Sequence, residues 1–213
     1  REGRTVVVLP RRMPAAEAAR LIVEHGQWID RQITRVTAER ARLAERPALG
    51  EGRVIEVAGE PCRVSAVDGG AARPARGRVE EIGGGVIVRL GRDGRDTGEL
   101  LERWLRQRAR EAISARVLAR APVLDVRPGR ITIRDQRSRW ASASADGSLS
   151  FSWRLVLVPP YVLDAVVVHE LAHLRIRNHS RRFWSLVERH APRTPEARRW
   201  LRANATELRA ALD

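Results

Sequence analysis

The spacing of apolar positions changes along the chain, and each change marks an element. Thr5-Val6-Val7-Val8-Leu9 is a short apolar run stopped by Pro10 and reads as a strand. Pro14 suits the first turn of a helix running to about Arg46. Within it Ile22, Ile29, Ile33, Val36 and Leu43 follow one another at seven, four, three and seven residues, a single helical stripe. Trp28 flanks the stripe, Gly26 weakens the helix, and Pro47 and Gly50 end it. Such a stripe is a packing surface.

Over residues 53–90 the period drops to two. Arg53-Val54-Ile55-Glu56-Val57, Cys62-Arg63-Val64-Ser65-Ala66-Val67, Arg78-Val79-Glu80-Glu81-Ile82 and Val86-Ile87-Val88-Arg89-Leu90 predict four strands. Gly59-Glu60-Pro61 and Gly83-Gly84-Gly85 suit hairpin turns. The glycine run lacks the lysine and hydroxyl residue of a phosphate loop. Residues 91–96 are polar and glycine-rich, the best candidate for a boundary. Asp96 with Glu99 three residues on forms a capping-box pattern. The helix it opens is expected to bury Leu101, Trp104, Leu105 and Ala112, with Leu118 near its end. Arg103, Arg106, Arg110 and Arg116 fall on its other, solvated face.

After Pro122, Val123-Leu124-Asp125-Val126 and Ile131-Thr132-Ile133-Arg134 read as strands, and residues 135–145 as a polar stretch. Asp146-Gly147 signals a hairpin turn into a strand over 148–155. Leu149, Phe151, Trp153 and Leu155 alternate there with polar residues, so one face should be buried and one wet. If it borders a site, its edge could take an extended peptide. Pro159-Pro160 fits only the first turn of a helix. Val162 to Val168 is rich in β-branched residues and favours a strand by propensity; the prolines, the length and the histidine spacing described below decide for a helix. A helix apolar all round is a buried one. Ser180 and then Thr194-Pro195 look like the starts of two more helices, burying Phe183, Trp184 and Val187 and then Trp200, Leu201 and Leu208.

Composition narrows the function classes. Hydrophobic residues make up 43% of 213, enough for a sizeable core. The single cysteine, Cys62, excludes a disulfide framework and reads as an apolar filler. No signal-like apolar run follows Arg1 and none is long enough to span a membrane, so a cytoplasmic protein is expected. The net charge is +14, and every basic residue other than histidine is arginine. A basic face can draw nucleic acid or another anion. The total absence of lysine instead points to an arginine-biased composition spread over ordinary surfaces.

The chemistry concentrates in His169-Glu170-Leu171-Ala172-His173. Histidines four apart project from one helix face and can share a metal ion. The intervening glutamate stands where it can deprotonate a metal-activated water. His179 follows six residues later, so three of the five histidines fall within eleven residues. Three protein ligands and one open position make a catalytic zinc site rather than a structural one. Glu170 is the expected general base. A donor for the tetrahedral oxyanion is also expected, with Arg139, Arg182 and His190 available. His25 has no partner in its segment, and His190 sits near a helix end that favours a cation.

These segments carry a resemblance. Ile133-Arg134-Asp135-Gln136-Arg137-Ser138-Arg139-Trp140, Trp153-Arg154-Leu155, Pro159-Pro160, Val167-Val168-His169-Glu170-Leu171-Ala172-His173-Leu174 and Asn178-His179-Ser180-Arg181-Arg182-Phe183-Trp184 resemble the YgjP-like metallopeptidases, related in motif to the SprT and Spartan zincins. Upstream, Trp28-Ile29 fits the family's first helix. The resemblance implies an α+β, zincin-like catalytic domain, one zinc ion per chain on His169, His173 and His179, Glu170 as base, and a peptide or protein substrate. Where the family has Gly-Ser-Cys-Ser this chain has Ala141-Ser142-Ala143-Ser144, and Ser152 replaces an asparagine; an intact site beside an altered loop is expected. Metzincins share the spacing of the third histidine, but the glycine they place in that turn is Ile176 here. The expected organisation is an N-terminal helix and antiparallel β-hairpin region over 1–94 and the metallopeptidase region over 95–213, separate or packed as one. The alternative function is a DNA-associated module or a protease of DNA-linked proteins. Nothing in the sequence indicates an oligomeric state.

Overall fold

The computed structural model describes residues 14–45, 51–136 and 138–212. The strand expected at Thr5-Val6-Val7-Val8-Leu9 and the helix-ending Pro47 and Gly50 lie outside them. The chain divides into two compact units, Arg1–Arg46 and Pro47–Asp213. The first holds α1 (Ala15–Glu24) and α2 (Gly26–Ala44), where the sequence predicts one helix. The break falls at His25, whose backbone leaves the helical region just ahead of the conformationally loose Gly26. Ile29 is half-buried, while Ile22, Ile33 and Val36 are exposed.

The second unit opens with β1 (Glu51–Val57), β2 (Glu60–Val67), β3 (Arg78–Ile82) and β4 (Gly85–Arg89), the four strands marked by the period-two pattern. Their order is β1-β2-β4-β3. Two antiparallel hairpins are joined by a parallel β2–β4 pair. Val57, Cys62, Val64, Val86 and Val88 are the buried members of this sheet. Burial pushes the Cys62 thiol up, which suits an inert filler. The first turn uses Ala58 and Gly59, both at positive φ, as a two-residue hairpin of this kind requires. Gly59 is needed twice over, because a Cβ there would lie 2.5 Å from Cγ of Pro160.

The boundary expected at 94/95 falls inside this unit, where one core runs from Val64 and Val88 to Phe151, Val167 and Phe183. The capping box forms: the Glu99 amide donates to Asp96 Oδ1 (2.8 Å) and the Asp96 amide to Glu99 Oε2 (3.3 Å). It starts α3 (Thr97–Arg120), which buries Leu100, Leu101, Leu105, Ala109, Ile113 and Val117. That stripe is rotated from the expected one. Trp104 and Ala112 are only partly buried, and Leu118 is 71% exposed. The strand expected at Val123-Leu124-Asp125-Val126 is a turn. Its amides are spent locally, Leu124 on the Arg120 carbonyl and Val126 on the Ala121 carbonyl, and Asp125 takes a φ of 52°.

A second sheet comprises β5 (Ile131–Arg134), β6 (Ala141–Ala143) and β7 (Leu149–Ser152) in the order β5-β7-β6. β6 lies in the stretch that sequence reading leaves as a loop. β7 ends three residues earlier than expected, where the Ser152 hydroxyl accepts from the Arg154 amide and a 3₁₀ turn (Trp153–Leu157) begins. Leu149, Phe151, Trp153 and Leu155 are buried as the alternation predicts, but so are Ser152 and Val156, while Ser148, Ser150 and Arg154 are only partly exposed. β7 is also the central strand, parallel to β5 and antiparallel to β6, so it has no edge for a peptide.

The remaining helices are α4 (Pro160–His173), α5 (Arg181–His190), α6 (Thr194–Ala203) and α7 (Ala205–Arg209). Thr194 does not cap α6. It is buried as the first helical residue, with its hydroxyl donating to the Ala191 carbonyl at 2.6 Å. Leu208 is buried, while Trp200 and Leu201 are partly so. The class is α+β, as expected. Among the described residues no helix is long and apolar enough to cross a membrane.

Candidate metal centre

The site is built on α4, and the rest of the unit holds that helix at both ends. Eight of its fourteen residues are buried, including Val162, Val167 and Val168. Burial on all sides overrides the strand propensity of its valines. Pro159 and Pro160 start it where backbone donors are free. Two guanidiniums of α3 fix this end. Arg120 makes a two-pronged bond to Asp164 (2.8 and 2.6 Å), and Arg116 donates to the Pro160 carbonyl at 3.0 Å. Beyond the other end, Arg175 donates to the Leu124 carbonyl at 2.9 Å. The turn that replaces the expected strand is therefore an anchor for α4.

His169 and His173 lie one turn apart on α4. The chain then turns back, with the Ile176 amide bonded to the Ala172 carbonyl, and His179 arrives immediately before Ser180. Ser180 caps α5, its hydroxyl accepting from the Phe183 amide at 3.4 Å. The Nε2 of His169 lies 3.1 Å from Nε2 of His173 and 3.2 Å from Nε2 of His179. Nitrogens around tetrahedral zinc at the usual 2.0–2.1 Å would be spaced by about 3.3 Å. One ring nitrogen from each of the three lies within 4.8 Å of the others, so the donor set fits a zinc ion. The Nδ1 of His173 donates to the Ile176 carbonyl at 3.2 Å, which leaves its Nε2 lone pair free for a metal. Burial, with the neighbouring His173, His179 and Arg198, pushes the His169 pKa down to about 3, so its imidazole is neutral and available.

Aromatic rings of α5 wall the cluster. Phe183 stacks on His173 with centroids 4.5 Å apart and meets His169 edge-on at 4.9 Å. Trp184 stacks on His179 at 5.5 Å. Arg198 of α6 lies over Trp184, 4.5 Å from the ring centre.

Glu170 is 7% exposed. Burial raises its pKa to about 7, against the downward pull of a hydrogen bond from the Ala143 backbone and of the Arg139 charge. A pocket of about 310 Å³ opens beside Glu170 and His169. Ala165 and Val166 of α4 and Ala197 and Leu201 of α6 line it, and Arg139 and Arg198 reach it.

Of the residues singled out by sequence, His169, Glu170, His173 and His179 are brought together, and Arg139 borders them. Arg182 lies exposed in the first turn of α5 and His190 ends that helix; neither lines the pocket. His25 lies between α1 and α2, exposed. Sequence reading misses Arg198 and the Ala143 backbone. The resemblance running on from Ser138-Arg139-Trp140 hints at the second, and no local pattern hints at the first.

A family model described as YgjP-like, metallopeptidase domain, matches residues 1–204. No curated protein matches the chain. Two solved structures are similar to part of it. The metallopeptidase zymogen of Pyrococcus abyssi abylysin is 24% identical, with 43% of this chain and 93% of that one covered and a TM-score of 0.40. That of Methanocaldococcus jannaschii jannalysin is 20% identical, with 44% and 96% covered and a TM-score of 0.40.

Proposed function

The chain belongs to the YgjP-like metallopeptidase domain family, and on that premise we propose that it cleaves peptide bonds with one zinc ion held by His169, His173 and His179 and with Glu170 as general base. The observation that carries this reading is the convergence of three imidazole nitrogens next to one buried carboxylate. When bound, zinc supplies Lewis acidity, polarising the scissile carbonyl and lowering the pKa of water to about 7.

The protein groups divide the remaining work. Glu170 takes a proton from the attacking water on its carboxylate and passes it to the leaving nitrogen. A buried carboxylate beside the activated water is placed to take that proton and to release it again. The Ala143 amide and the Arg139 charge keep the carboxylate oriented and partly stabilised. Phe183 and Trp184 limit water around the histidines.

The substrate backbone lies along β6 rather than β7. The Ser152 amide bonds the Trp140 carbonyl and the Ser144 amide bonds the Ser148 carbonyl, which turns the backbone groups of the even-numbered residues of β6 toward β7. Those of Ala141 and Ala143 therefore face outward, and it is the Ala143 backbone that reaches Glu170. This edge is where the chain departs from the family's Gly-Ser-Cys-Ser, so differences in substrate choice are expected to map here.

The test is hydrolysis of a peptide mixture by zinc-loaded protein. Glu170→Gln should retain about one zinc per chain and lose roughly 100- to 10,000-fold in kcat. A variant as active as the parent, or a zinc-loaded parent that cleaves no peptide, contradicts the reading. A role at DNA has the +14 charge and the motif relation to the SprT and Spartan zincins behind it. Several arginines of α3 are already paired, Arg106 with Glu102, Arg108 with Glu111 and Arg120 with Asp164. Binding to duplex DNA that weakens steeply with salt would restore that role.

A further inference from the structure

Two arginines of this arginine-rich chain share the pocket beside the candidate metal centre. Arg139 and Arg198 come from different parts of the sequence, one just before β6 and one on α6, yet both border the pocket beside Glu170 and His169. Neither makes an ion pair among the described residues. Arg193, immediately before α6, shows the contrast, for it is paired with Glu196. Both line the same pocket as Glu170 and His169, so both guanidiniums border the reacting centre. Arg198 is also held in place, lying over Trp184, which itself stacks on His179. The pocket between them is apolar, walled by Ala165, Val166, Ala197 and Leu201.

Resting on the peptidase reading, we infer that this pocket is a substrate-recognition subsite that takes an apolar side chain, and that Arg198 together with Arg139 binds a substrate carboxylate at its mouth. Unpaired guanidiniums at the rim of an apolar pocket offer planar, two-pronged donors that match a carboxylate. The small residues Ala165 and Ala197 leave the room for the side chain. Arg198 is a binding residue and takes no part in proton transfer. The carboxylate has two sources, the C-terminus of a short peptide or an Asp or Glu side chain next to the apolar residue.

The test uses the zinc-loaded full chain and matched peptides that share one apolar residue. One set ends in a free acid or an amide. The other carries Asp or Glu against Asn or Gln at neighbouring positions. At least one carboxylate form should exceed its neutral partner in kcat/KM by roughly ten- to a hundredfold, the range of a charge-assisted bond. The set that shows the ratio identifies the source. Arg198→Gln should bring that ratio close to one, and Arg198→Lys should restore part of it. Equal rates for acid and neutral peptides, or a ratio that survives Arg198→Gln, overturns the inference while leaving the peptidase reading intact. If no peptide is cleaved, the peptidase reading fails and binding decides this one. Tryptophan fluorescence of Glu170→Gln, with Trp184 beside the pocket as reporter, should show the acid peptide binding more tightly than its amide, and Arg198→Gln in that background should abolish the difference. No difference there overturns the subsite.

Discussion

The two sheets of the second unit share a plan and differ in use. Each has one parallel pair made from strands that are not consecutive, β2 with β4 and β5 with β7, extended by antiparallel strands on both sides in the first sheet and on one side in the second. The four-stranded sheet buries Val64, Val86 and Val88 and carries no residue of the candidate site. It supports the site from behind, through the Gly59 turn against Pro160 at the start of α4. The three-stranded sheet is shorter, its central strand is largely buried, and its β6 edge supplies the Ala143 backbone to Glu170. One sheet is scaffold; the other is scaffold on one strand and site on the next.

That difference can be broken from either side. The largest effect is expected at the metal centre itself. His169→Ala should lose zinc and peptide hydrolysis together, with circular dichroism showing the fold retained, because the core around α4 does not depend on that imidazole. In the three-stranded sheet, Phe151 is fully buried. Phe151→Ala should destabilise by about 3–5 kcal/mol in urea unfolding and also lower kcat, since β7 positions β6. In the four-stranded sheet, Val88→Ala should destabilise by about 2 kcal/mol and leave kcat of the folded protein unchanged. A fall in kcat for Val88→Ala would mean that the two sheets do not divide the work as described.

A further test is a pH slope in metal-free protein. His169 is held at about 3 in the fold against an ordinary 6.5. Between those values the unfolded chain binds the proton and the folded one does not, so this group makes stability fall as pH drops from 6.5 toward 3. Glu170 is raised to about 7 from 4.5, so in that window the folded state holds the extra proton and stability falls as pH rises. The two slopes oppose between 4.5 and 6.5, and His173, whose pKa burial also lowers, adds to that of His169, so stability falls gently as pH drops there and more steeply below 4.5. Glu170→Gln removes one of them. Its stability should then rise with pH all the way from about 3 to 6.5, a change visible in thermal melts across that range.

The same contrast separates what is legible in the sequence from what is not. The four-stranded sheet follows from alternation and glycine turns, because its strands are long enough to show a period. The parallel pairing of β2 and β4 is not legible, since period says nothing of strand order. β6 escapes sequence reading because Ala141-Ser142-Ala143 is three small residues, too short and too uniform to show any pattern. The short apolar run Val123-Leu124-Asp125-Val126 is the opposite error, a turn with one buried leucine that looks like a strand. On α4 the histidine spacing and the proline pair outweigh a propensity that points to a strand, and there the site is legible almost whole. Arg198 is not, because packing alone brings α6 beside α4.

The most direct test of the account is the anomalous scattering of zinc in a crystal of the metal-loaded chain. A single peak within about 2.0–2.1 Å of Nε2 of His169, His173 and His179, with the Glu170 carboxylate outside the coordination shell, is the predicted result. Zinc bound without His179, or ligated by Glu170, would contradict it.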